Sequence, residues 1–278
     1  MEVRMISMEV LNEYREYLIR EEKSALTVEK YLRDVNSFFR FTEGQELTKE
    51  TTMAYKKYLE DKYAVRSVNS MLAAMNNFLI YMGWDDLKVK VLRCQKQSYS
   101  RDDEELTKAE YLRLIDAAKG QPQLQTIMQT ICGTGIRVSE LKYFTVEAVR
   151  TGEISVYCKG KIRTILIPGK LRKRLLDYAG KRKIRKGNIF ITKNGKPVDR
   201  SNIWAQMKRL CENAAVNPKK VFPHNLRKLF ARTFYGIEKD IAKLADILGH
   251  NSIETTRIYI ITTGVEHRKK IERLGLVV

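Results

Sequence analysis

The chain has 278 residues, 44% of them hydrophobic, enough to fill the cores of two domains rather than one. No apolar run reaches the roughly 18 residues of a membrane helix, and Cys94, Cys132, Cys158 and Cys211 lie far apart with no C-x-x-C pair. A membrane-spanning, disulfide-knotted, collagen-like or largely disordered protein is therefore excluded, and the formal net charge of +19 points instead towards an anionic partner.

Glu2, Arg4, Glu9 and Glu13 interrupt the first apolar residues, which does not suit a signal peptide. With unpaired cysteines, this leads us to expect a cytoplasmic protein without a membrane partner. The charge is unevenly spread. Residues 1–100 hold 16 basic and 15 acidic side chains, and the remaining 36 basic and 18 acidic ones give residues 101–278 a net +18. Nucleic acid is the commonest partner of such a field. A basic solvated surface without a specific ligand is the plainer alternative, and charge alone does not separate the two.

In chain order, helices are expected over about 7–22 and 48–63. A third places Val28, Tyr31, Leu32, Val35, Phe38 and Phe39 on one face, with Thr27 as its cap. A fourth aligns Val68, Met71, Leu72, Met75, Phe78, Leu79 and Met82 and ends at Gly83. Four helices with short links make a small bundle. From Leu92 to Asp103 the periodicity lapses into a polar linker. Thr107 and Glu110 then form a capping box, and helices follow near 107–118 and 122–131. Residues 153–168 alternate, with Ile154, Val156 and Cys158 facing one way and Gly160 turning the chain, which is a β-hairpin. Ile189–Ile191 and the turn Asn194-Gly195 suggest a further strand. Helices dominate from there to about 261.

Three stretches carry chemistry. In FPHNLRKLFA (222–231), Pro223 starts a helix, and His224 and Arg227 share one face near its positive end, a cradle for phosphate or merely a capped surface. In GTGIRVSEL (133–141), Arg137 lies among apolar residues and needs a partner, either Glu140 or a phosphate that its planar fork would grip. In ILGHNSIETTRIY (247–259), Gly249 ends one helix, Ser252 caps the next, and His250 and Tyr259 lie at the turn and two helical turns beyond it. Spacing alone leaves them open to structural roles. There is no H-E-x-x-H metal motif and no phosphate-binding loop, so a reaction without bound metal, cofactor or ATP is expected.

Together and in this order, these stretches resemble the tyrosine recombinases, the phage integrase family. GTGIRVSEL resembles its first arginine box, CKGKIRTILIP (158–168) its hairpin lysine box, FPHNLRKLFA its H-x-x-R box, and LGHNSIETTRIY the segment ending in its nucleophile. The resemblance implies a mainly α fold with a small β-hairpin. An N-terminal four-helix core-binding (SAM-like) bundle would span 1–92, a linker 93–104, and a mixed α+β catalytic domain 105–278, the two domains clamping double-stranded DNA. It implies that Tyr259 forms a 3′-phosphotyrosyl link and that Arg137 and Arg227 hold the non-bridging oxygens. Lys159 would protonate the leaving 5′-oxygen, His224 would assist proton transfer at Tyr259, and His250 would donate to the phosphate.

Departures from the family pattern are Cys158 before the lysine, Lys161 as a rival acid, Lys228 after the second arginine, Arg232 as an extra base, and Ile260-Ile261 after the nucleophile. The chain is expected to be a minimal recombinase without a further N-terminal domain. It would act as a homotetramer on two DNA sites, with accessory DNA-bending proteins as possible partners, in integration, excision, inversion or resolution. Residues 264–278 would form a short basic helix whose apolar end docks on a neighbouring protomer. A type IB topoisomerase and a non-catalytic DNA-binding regulator, its helix-turn-helix at 238–259, are the competing readings.

Overall fold

The computed structural model describes residues 4, 8–43, 45–93, 104–158, 161–261, 268 and 271–274. The chain divides into two compact units, 1–96 and 97–278. The first holds α1 (Met8–Arg20), α2 (Ala25–Phe41), α3 (Lys49–Lys62) and α4 (Val65–Tyr81). The apolar stripe read from the sequence is its interior: Val28, Val35, Phe38, Val68, Leu72, Met75, Phe78 and Leu79 are buried, with Tyr14, Tyr55 and Leu59 filling the rest. The cap of α2 is Ser24 rather than Thr27, because Ser24 lies one residue outside the helix in extended backbone and its hydroxyl accepts from the Thr27 amide.

The second unit contains α5 (Lys108–Ala117), α6 (Pro122–Thr134), α7 (Val146–Thr151), β1 (Glu153–Cys158), β2 (Lys161–Leu166), α8 (Gly169–Lys181), α9 (Arg200–Arg209), α10 (Pro223–Glu238), α11 (Ile241–Leu248) and α12 (Ile253–Ile260). The Thr107–Glu110 capping box starts α5 as expected. β1 and β2 pair antiparallel in the expected hairpin, with Val156 opposite Arg163 and Tyr157 opposite Ile162; its turn at 159–160 lies outside the described residues. The strand expected at Ile189–Ile191 does not form. Asn188 and Ile191 make only single bridges, to Thr145 and Pro197, and Ile189 and Phe190 enter the core without a ladder.

The core of this unit is built on α6, which packs on α8 and α10. The buried hydroxyls of Thr126, Thr130 and Thr134 donate to carbonyls one turn back, at 2.6–2.8 Å, so this central helix buries them satisfied. α10 also holds the start of the unit: Asn225 donates to the Glu104 carbonyl, and Arg232 pairs with Glu105 and donates to the Leu106 carbonyl.

Candidate active site

Two helices end at the site in left-handed glycines. α6 closes on Gly135 (φ +66°) and α11 on Gly249 (φ +64°). Both glycines are required by space as well as by dihedral. A Cβ on Gly135 would lie 2.4 Å from the Phe230 ring, and one on Gly249 2.4 Å from Arg163 Cδ. The exposed carbonyls at these two C-termini, carrying the negative ends of the helix dipoles, face one side chain from α10. Arg227, 1% exposed, donates to Gly135 O at 2.6 Å and to Leu248 O at 2.7 Å.

Arg137 follows Gly135 and leads into a 3₁₀ turn at Val138–Tyr143. Its amide donates to Glu140 Oε2 at 2.7 Å and its Nη1 to Oε1 at 3.0 Å. The pairing with Glu140 that the sequence left open is therefore formed, but it is not exclusive. Buried Glu140 also accepts from Arg163 Nη2 on β2 at 2.6 Å, and Arg227 Nη1 stands 4.0 Å away. Three guanidinium groups thus share one carboxylate, an excess of two positive charges in a largely desolvated place. Burial, then repulsion from Arg137, pulls Arg227 down to about 10, which still leaves it charged at neutral pH.

Tyr259 on α12, buried at 8% exposure, is held between two imidazoles. The ring centroids of His224 and His250 lie 5.1 and 4.8 Å from its own, and Arg227 Cζ lies 5.8 Å over its ring. Because a guanidinium only donates, Arg227 Nη2 donates to His250 Nε2 at 3.0 Å, which makes His250 Nδ1 the protonated nitrogen that donates to buried Thr256 at 2.9 Å. Ser252 caps α12, as expected, and so places Thr256 and Tyr259 on one face.

Both histidines are pushed down to about 4. Burial is the first cause for each; Lys228, Arg227, Arg200 and Arg137 add to it at His224, and Arg227, Arg137, Arg163 and then His224 at His250. At neutral pH both are uncharged.

Of the six residues singled out, Arg137, His224, Arg227, His250 and Tyr259 converge here, and Lys159 lies outside the described residues. The sequence reading missed Arg163. The available signal was parity: Arg163 alternates with Ile165 on the inward face of β2, where a charge needs a partner. Among the described residues, no group of three or more His, Cys, Asp or Glu side chains is arranged to hold a metal ion.

The first unit has basic grooves of its own. Lys30, Arg33 and Arg66 line one between α2 and α4, where buried Asp34 holds Lys30 at 2.5 Å and Arg33 at 3.3 Å. Lys49, Lys56, Lys57, Lys88 and Lys90 line another beside α3.

Residues 104–263 match the model of the phage integrase family, and residues 11–85 that of the phage integrase N-terminal SAM-like domain. The tyrosine recombinase XerA of Pyrococcus furiosus is 28% identical over 99% of this chain and 97% of its own length. A crystal structure of XerA recombinase is 27% identical, covers 95% of this chain and 97% of its own, and superposes with a TM-score of 0.54. A lambda integrase fragment, crystallised as a dimer bound to a COC′ core site, shares the fold with a TM-score of 0.74 at 19% identity, over 94% of this chain and 97% of its own.

Proposed function

The chain belongs to the phage integrase family, and on that premise we propose that it is a site-specific tyrosine recombinase, cutting and rejoining double-stranded DNA through a 3′-phosphotyrosyl intermediate. The observation that carries this reading is the arginine cluster around Glu140, two charges in excess, beside a tyrosine held between two neutral imidazoles. Such an excess is costly when empty and is relieved by a phosphate.

Tyr259 Oη attacks the scissile phosphorus and the bond to the 5′-oxygen breaks. A phenol attacks well only if its proton is taken. His224, neutral and next to the ring, takes that proton. The crowded phosphorus gathers negative charge on its non-bridging oxygens, which Arg137 and Arg227 hold with forked donors. His250 Nε2 accepts a hydrogen of Arg227. An oxygen of the phosphate accepts that hydrogen instead, and His250, still neutral but with its proton moved from Nδ1 to Nε2, becomes a second donor while Nδ1 accepts from the Thr256 hydroxyl. Lys159 supplies the proton to the departing 5′-oxygen. Losing one donor aimed at such a centre typically costs about 10²–10³ in rate. A 5′-hydroxyl from another strand then attacks the phosphotyrosine and reseals the backbone, so the energy of the broken bond is kept and no ATP is needed.

The basic groove of Lys30, Arg33 and Arg66 supports a DNA-binding role for the first unit. A homotetramer on two sites completes the exchange, with accessory DNA-bending proteins as possible further partners. The test begins by sequencing DNA linked to the protein in expressing cells. Two plasmids carrying the recovered sequence should recombine with the wild-type chain and not with Tyr259→Phe. Relaxation without recombinant products would instead assign a topoisomerase.

A further inference from the structure

The β1–β2 hairpin buries one face. Ile154, Val156 and Ile165 lie on it, whereas Tyr157 and Ile162, paired across the strands on the opposite face, are 65% and 62% exposed. Arg163 stands on the buried face opposite Val156, its side chain 11% exposed. It reaches inward, donating from Nη2 to Glu140 Oε2 at 2.6 Å and from Nη1 to Ile247 O at 2.5 Å. Its Cδ and Nε occupy the space that a side chain on Gly249 would need. Glu140 also holds Arg137, and Gly249 precedes His250, so one side chain ties the hairpin to both halves of the phosphate site.

We propose that Arg163 is a positioning residue for departure of the 5′-oxygen: it moors the hairpin whose turn carries Lys159, and so aims the proton donor. This rests on the assignment of Lys159 as the acid. Arg163 acts through the hairpin: its Nη2 donates to Glu140 and its Nη1 to Ile247 O, neither of them a reacting group. In the step concerned, the Tyr259 oxygen–phosphorus bond forms, the phosphorus–5′-oxygen bond breaks, the Tyr259 proton passes to His224, and the 5′-oxygen takes a proton from the Lys159 ammonium. A hairpin that has slipped its mooring impairs only the last transfer.

Replacing the 5′-bridging oxygen by sulfur removes the need for that transfer, because a thiolate leaves unprotonated. The probe is a duplex oligonucleotide of the recovered cleavage sequence, made with either atom at the scissile position. On the oxygen duplex, Arg163→Ala should cleave about 10²-fold or more slower than wild type, within the range of general-acid contributions, while binding the duplex about as tightly. On the sulfur duplex the deficit should shrink to a few-fold, as for Lys159→Ala, whereas Arg137→Ala should stay slow on both.

If Lys159→Ala is rescued by sulfur and Arg163→Ala is not, the mooring role is wrong and the assignment of Lys159 stands. If Arg163→Ala is rescued and Lys159→Ala is not, the hairpin serves the leaving group through another donor and the assignment of Lys159 fails. If neither is rescued, both fall. Arg163→Lys keeps a cation for Glu140 but cannot fork to Ile247 O. It should show the same pattern with a smaller deficit, and it decides the question if the alanine variant does not fold.

Discussion

Glu140 has the most consequential position of any single residue outside the reacting groups. It is 3% exposed and faces three guanidinium groups, so removing its charge leaves them to repel one another without a counter-ion. Taking one partner from a buried pair costs about 3–5 kcal/mol. We expect Glu140→Gln to melt well below the wild type and to regain much of the loss in sulfate, which replaces the missing anion; an unchanged melting temperature would contradict the electrostatic account. The two histidines predict a pH dependence. Their folded values near 4 lie below the roughly 6.5 of an unfolded chain. Between these values the unfolded chain binds protons that the folded one does not, so stability rises with pH there and is lost as pH falls from about 6.5 towards 4. The DNA-free chain should therefore lose melting temperature between pH 7 and 5. A chain with both His224→Asn and His250→Asn should lose less, and equal slopes would count against the buried imidazoles as the cause. Residues in one local stretch were legible from sequence: Arg137 and Glu140, or Thr107 and Glu110, meet because helical and 3₁₀ turns bring positions three apart together. Arg163 was not, because its partner Glu140 is 23 positions away and only tertiary packing joins them.

At the scale of elements, the site is a meeting of helix ends. α6 and α11 present their C-termini to α10, and each can do so only by ending on a glycine in the left-handed region. Gly249→Ala should cost about 1–2 kcal/mol from the backbone alone and displace Arg163 as well, so its cleavage rate should fall further than its stability implies. A variant with normal stability and rate would show that the close approach of Arg163 is unimportant. The helices were legible because an apolar stripe at helical spacing buries one face whatever its neighbours. The segment 189–191 was misjudged for the converse reason. Its apolar residues enter the core, but no neighbouring segment runs alongside them long enough to form a ladder, and a strand exists only with its partner. The choice between Ser24 and Thr27 turned on one residue of register that two nearby hydroxyls leave open.

For the whole molecule, charge is the guide. A net +19 concentrated beyond residue 100, with further basic grooves in the first unit, predicts binding dominated by phosphate contacts. With six or more such contacts, affinity should fall by about 10³ or more between roughly 50 and 200 mM salt; a flat salt dependence would contradict a phosphate-led interface. The most direct measurement of the central claim is the chemical identity of the protein–DNA link. Complexes trapped in detergent, digested with nuclease and trypsin, should yield the peptide 258–268 with a nucleotide joined through its 3′-phosphate to Tyr259, and the complementary DNA end should carry a free 5′-hydroxyl. A nucleotide attached to any other side chain, a link through a 5′-phosphate, or no adduct from wild-type protein that binds and cuts the same DNA would contradict it.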